Sequence, residues 1–123
     1  MKWLGLAAGG IAGTFTRYFL SIGIYGILGS NFPYGTIAVN LTGCTIIGFL
    51  AAIPESRFPF GMDGRLAVMA GFCGAFTTFS AFILETFDLM KTGQPAAAVL
   101  NVAISIAAGL ILFGLGFSLG KAL

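Results

Sequence analysis

The chain has no histidine, and that absence removes a large part of enzyme chemistry. No Ser-His or Cys-His nucleophile can be assembled. A zinc or redox centre fares no better, because the two cysteines, Cys44 and Cys73, form no CxxC and no cluster of carboxylates exists. Both cysteines sit in apolar runs and read as small buried hydrophobes. Glu85 and Asp88 lie three residues apart at the end of one such run, too little for paired acid–base work. An enzyme is therefore not expected. Charge is equally scarce: 8% of the residues are charged, against about 25% in a soluble domain. A surface that poor in charge cannot face water. The net charge of +2 comes without a basic run, so nucleic acid is not an expected partner. Strict alternation of apolar and polar residues is also missing, which argues against a β-barrel.

What the chain has in abundance is apolar sequence. It is 58% hydrophobic with a mean hydropathy of +1.01. These values describe an integral membrane protein whose solvent is the lipid bilayer. Four runs, at about residues 3–27, 34–53, 66–87 and 96–119, reach the roughly 20 residues that cross a bilayer core. The expected fold is all-α, one domain of four transmembrane helices over residues 1–123. The connections are short. Gly93 is a helix stop and Pro95 a helix start between the third and fourth runs. The N-terminal run lacks a convincing small-residue cleavage site and carries Arg17 at its middle, so it reads as a retained first helix. With a cytoplasmic N-terminus, Lys2, Arg57, Arg65 and Lys121 lie inside and Lys91 outside, a modest positive-inside bias.

The third run is unusual. Gly71 to Glu85 reads G-F-C-G-A-F-T-T-F-S-A-F-I-L-E, mixing glycines, hydroxyls and phenylalanines. Gly74 weakens a helix, while Thr77, Thr78 and Ser80 offer partners to freed backbone groups. A glycine-threonine break near the middle of this helix is expected, and broken helices at membrane depth usually line an ion or substrate site. Phe76, Phe79 and Phe82 recur every third residue, which on a continuous helix forms an aromatic strip. Their ring edges carry partial positive charge.

Polar residues within the other runs mark further candidates. Arg17 costs about 2.5–3.5 kcal/mol at a helix centre and shares a face with Gly10, Thr14 and Ser21. It either snorkels to the interface, draws anions, or ties the first helix to an acceptor. Thr36, Asn40 and Gly43 share a face of the second helix. Asn40 is either interhelical glue or a donor lining a pathway. Asn101 and Ser105 make a similar pair in the fourth. Gly9 with Gly13, and Gly116 with Gly120, are small-xxx-small patterns that let helices approach. Four short helices enclose little volume, so a pathway calls for a second subunit.

The segments G-G-I-A-G-T-F-T-R-Y (Gly9–Tyr18), G-T-I-A-V-N (Gly35–Asn40) and G-F-C-G-A-F-T-T-F-S-A-F (Gly71–Phe82), followed by Glu85, resemble the Fluc (CrcB) fluoride channels of bacteria. The resemblance extends over the whole chain. It implies an antiparallel, dual-topology homodimer in the bacterial inner membrane, with two fluoride pathways and passive fluoride efflux from the cytoplasm. It also implies a structural sodium ion at the dimer centre, held by the backbone carbonyls of Gly74 and Thr77. By motif position, Asn40, Phe79 and Phe82 correspond to pore residues, Thr36 and Ser80 to the polar track, Arg17 to the arginine of the first helix, and Glu85 to a glutamate near the pore. Two departures stand out. Ala81 replaces a threonine common between the pore phenylalanines, and Asn101 falls where many relatives carry tyrosine. Asn101 would then line a vestibule. A small proton-coupled multidrug exporter is the rival, but it needs a glutamate in the first helix. A structural membrane subunit without transport is the other.

Overall fold

The computed structural model describes residues 1–123, which are helical with short connections and no strands. Lys2–Leu28 forms α1 and Tyr34–Ala52 forms α2. A turn of 3₁₀-helix, Glu55–Arg57, sits in the connection that follows. The third crossing is composite: α3 (Met62–Leu66), a π-helical stretch Ala67–Cys73, a last turn α4 (Gly74–Phe76), and then α5 (Phe79–Lys91). Gly93 closes it with φ 76°, a left-handed conformation that glycine adopts without steric cost. Pro95 then opens α6, Pro95–Lys121, where its missing N–H costs nothing. Four segments are long and apolar enough to cross a membrane: Lys2–Leu28, Tyr34–Ala52, Met62–Lys91 and Pro95–Lys121. The third extends past its apolar run at both ends and takes in the charged Arg65 and Lys91.

Glycine decides which helices touch. A Cβ at Gly9 would overlap the carbonyl of Ala67, and one at Gly13 the carbonyl of Phe72, so α1 lies directly against the π-helical stretch. Gly48, Gly116 and Gly120 do the same for α2 and α6, which pack backbone to backbone against Phe113, Thr45 and Phe49. Both small-xxx-small patterns are thus used within the single chain. This leaves little core: 17 of 123 residues are buried, and the aliphatic and aromatic side chains of α1 and α6 mostly face outward. In a bilayer, that outward face meets lipid or another protein rather than water.

The break lies at the threonines, not at the glycine. Gly74 is helical (φ −64°, ψ −35°), whereas Thr77 (φ −82°, ψ 158°) and Thr78 (φ −148°, ψ 119°) are extended. Weak helix propensity alone does not open a helix. It opens where the freed backbone groups have other partners, and those partners surround Thr78.

Candidate functional site

In an unbroken helix the Thr78 amide would donate to the Gly74 carbonyl. Here it donates to Asn40 Oδ1 at 2.8 Å, and Asn40 Nδ2 donates back to the Thr78 carbonyl at 3.0 Å. One amide side chain from α2 therefore satisfies both backbone groups of the break residue, and the pair of bonds fixes which way the amide points. Thr78 also acts as N-cap of α5, its hydroxyl accepting from the Ala81 amide at 3.2 Å. Thr77 Oγ1 bonds back to the Cys73 carbonyl at 2.9 Å. The consequence falls on two carbonyls. Gly74 has lost its helical donor to Asn40, and Thr77 has lost its own, Ala81, to the Thr78 hydroxyl. Beyond its own helix and chain neighbours, no heavy atom lies within 4 Å of where a Gly74 Cβ would sit, so the space beside that turn is open. Two released carbonyls next to open space suit a hard cation that takes oxygen ligands.

The polar residues gather in three clefts that follow one another. The break cleft, about 370 Å³, is lined by Asn40, Gly74, Thr77, Thr78, Phe79 and Phe82, with Ser105 from α6. A polar cleft of about 440 Å³ is lined by Thr14, Arg17, Ser21, Thr36, Ser80 and Glu85, and also by Thr78. An end cleft of about 460 Å³ includes Tyr25, Asn31, Asp88 and again Glu85. Thr78 is thus shared by the first pair and Glu85 by the second. Of the residues singled out from sequence, Asn40, Phe79, Phe82, Gly74 and Thr77 share the break cleft, while Thr36, Ser80, Arg17 and Glu85 share the polar cleft. Phe79 and Phe82 have ring centroids 5.8 Å apart and planes tilted by 46°.

Glu85 is held from two helices. Thr36 Oγ1 donates to its Oε1 at 2.7 Å and the Tyr25 hydroxyl donates to the same oxygen at 3.2 Å. The other oxygen, Oε2, is buried without a partner. Thr36 itself is buried, and its single proton is committed to Glu85. Arg17 is half-buried and forms no ion pair; the one salt bridge joins Lys91 to Asp88 at 3.4 Å, at the end of α5.

Two expectations need correction. Phe76 does not continue the strip of Phe79 and Phe82. It is 1% exposed and stacks on Phe72 at 5.6 Å, because the extended threonines rotate α5 away from the turn before it. Asn101 lines none of the clefts. It is 1% exposed, and its Nδ2 donates to Thr86 Oγ1 at 2.8 Å, which donates to the Phe82 carbonyl at 2.7 Å. It ties α6 to α5. Tyr25 is the residue sequence reasoning passed over. The signal was present, since Tyr25 continues the face of Arg17 and Ser21 at four-residue steps.

A helical protein with four crossing segments, whose polar groups meet at an opened helix, is a multi-pass membrane protein of the channel and transporter class. The model of the family described as CrcB-like protein, Camphor Resistance (CrcB), matches residues 4–117. The chain belongs to that family. It is 41% identical over 121 residues to the fluoride-specific ion channel FluC of Acidobacterium capsulatum, covering 98% of this chain and 97% of that one. To the fluoride-specific ion channel FluC 1 of Rhodopseudomonas palustris it is 42% identical over 113 residues, covering 90% and 80%. To the FluC of Rhodospirillum rubrum it is 42% identical over 118 residues, covering 94% and 92%. The family is one of ion channels, not enzymes.

Proposed function

We propose that this chain is a fluoride channel that lets fluoride leave the cytoplasm passively, from the inner membrane of a bacterium. The observation that carries the reading is the Asn40–Thr78 pair, which opens a helix between two polar clefts in a chain whose relatives are named fluoride-specific ion channels. Fluoride is small and strongly hydrated, so it enters a membrane only where donors replace water. Asn40 Nδ2 has two hydrogens and spends one on Thr78, leaving one for an anion. The Ser80 hydroxyl is exposed in the polar cleft. Phe79 and Phe82 offer ring edges, which attract an anion without the grip of a fixed cation. Weak binding is what conduction needs. Thr36 joins this track only when its proton leaves Glu85. Arg17 raises the potential of the polar cleft and Glu85 lowers it, so anions are drawn in without being trapped. A cation exporter driven by protons would need an acid in α1, which has none.

The same reading includes an antiparallel homodimer with one pathway on each side. The support is the exposed break cleft and the thin core of one subunit, which a second copy would cover. Labelling of a cysteine placed in the Lys91–Gln94 connection from both sides of the membrane tests dual insertion; labelling from one side alone would sink it. A sodium ion at the centre would be held by the Gly74 and Thr77 carbonyls of both copies. When bound, it would supply positive potential and join the two opened helices. Exchange of sodium for a bulky organic cation should then cut fluoride flux by roughly tenfold or more, and unchanged flux would remove the ion from the proposal.

Phe82→Ile tests the pathway itself. It keeps an apolar side chain at an 8% exposed position and removes the ring with its electropositive edge. Fluoride flux through proteoliposomes should fall about tenfold while the protein elutes as the wild type does. Wild-type flux would move the pathway away from the break cleft.

A further inference from the structure

Glu85 is the side chain shared by the polar and end clefts, so whatever fixes its position also fixes how those clefts meet. Its own helix does not hold it. Both of its hydrogen bonds come from other helices and converge on one oxygen, Thr36 from α2 and Tyr25 from α1. We infer that Tyr25 is a positioning residue of the conduction pathway, holding Glu85 at the junction of the two clefts. The inference rests on the fluoride-channel reading for its consequence, but not for its geometry.

Three observations converge on Tyr25. Its hydroxyl lies 3.2 Å from Glu85 Oε1, across 60 residues of sequence, so the bond is a tertiary choice and not a local accident. The hydroxyl lies 3.5 Å from Thr36 Oγ1, at the long limit for such a bond, so both protons are aimed at the carboxyl group. Finally, the ring has a seat made for it. A Cβ at Gly35 would stand 2.5 Å from Tyr25 Cε2 and 2.7 Å from Ser21 Oγ. Gly35 is the second residue of α2, one before Thr36. The residue that admits the ring is therefore next to the residue that shares its task. With Tyr25 in place, Glu85 Oε1 has two donors and cannot swing toward either cleft without losing both. Without the hydroxyl it has one donor, and the carboxyl group is free to lean into the polar cleft beside Ser80 and Arg17, where negative charge opposes an anion.

The test separates placement from conduction. Glu55 and Glu85 are the only glutamates in the chain. In a Glu55→Gln background, isotope-labelled glutamate gives an infrared carboxyl band from Glu85 alone. Tyr25→Phe keeps the ring and removes the hydroxyl. It should shift that band, as Thr36→Val should too, and lower fluoride flux in proteoliposomes roughly fivefold to tenfold. Gly35→Ala, which unseats the ring without touching the hydroxyl, should reproduce both effects. An unmoved band in Tyr25→Phe overturns the inference at its geometry. A shifted band with flux within about twofold of wild type overturns it at its consequence. If wild-type protein passes no fluoride, it is the channel reading that fails, and the band still reports whether Tyr25 holds Glu85.

Discussion

Asn40→Asp should reduce fluoride flux by at least about a hundredfold in protein that still folds. The substitution is nearly isosteric. The carboxylate keeps an acceptor for the Thr78 amide, so half of the clamp survives. The other half inverts, because the Thr78 carbonyl now faces an oxygen instead of the Nδ2 donor it had at 3.0 Å. Leaving such a group unpaired costs about 1–3 kcal/mol. A second effect acts on the ion. The remaining Asn40 N–H, which the proposed pathway uses as a donor, becomes a negative charge. At about 4 Å and an effective dielectric near 20, two like charges repel by roughly 4 kcal/mol, close to three powers of ten in rate. The electrostatic term exceeds the structural one, so flux should collapse before stability does. Asn40→Leu reverses the order: it adds no charge but orphans both Thr78 groups, and should lower stability more than Asn40→Asp. Equal flux in wild type and Asn40→Asp, measured by fluoride release from proteoliposomes, would take Asn40 out of the pathway.

Gly13→Ala should be among the most damaging single methyl groups in the chain, alongside Gly9→Ala and Gly116→Ala. It would place a Cβ onto the Phe72 carbonyl and 3.0 Å from the Phe76 amide. Both obstacles are backbone, so no rotamer change relieves them, and α1 has to move off the π-helical stretch. Overpacking of this kind costs typically 1–3 kcal/mol and more when backbone is the obstacle. Gly23→Ala on the same helix is the contrast, because nothing stands within 4 Å of its Cβ. Alanine is the better helix former by about 1 kcal/mol, so Gly23→Ala should be neutral or stabilising. Thermal unfolding in detergent compares the two. Equal midpoints would mean that α1 does not lean on the third crossing segment through Gly13.

The pair of glycines shows where sequence reasoning stops. Gly9 and Gly13 announce a close helix contact through their spacing, and the contact exists. Spacing identifies a face but not what meets it, and the partner is the chain's own π-helical stretch. That stretch was not legible at all. Nothing in Ala67–Cys73 distinguishes a wide turn from an ordinary one, although this is the stretch that Gly9 and Gly13 of α1 lie against. The opened helix was legible in kind, from glycine beside hydroxyls in an apolar run, but its position was set by Asn40, 38 residues away. Asn40 carried a polar group that lipid could not satisfy, so a partner was implied before its identity was. Phe76 misled for a plain reason: period three predicts one face only while the helix continues. Tyr25 was readable from the face it shares with Arg17 and Ser21, yet a tyrosine near a helix end looks like any interfacial anchor until Glu85 is brought beside it.

The central claim is that this chain alone makes a fluoride-selective pathway. The most direct test loads liposomes with fluoride and chloride, reconstitutes only the purified protein, adds a potassium ionophore to clear the charge, and follows both anions with electrodes. Rapid loss of fluoride while chloride stays inside is the expected result. Retention of both anions by folded protein, or their release together, would contradict it.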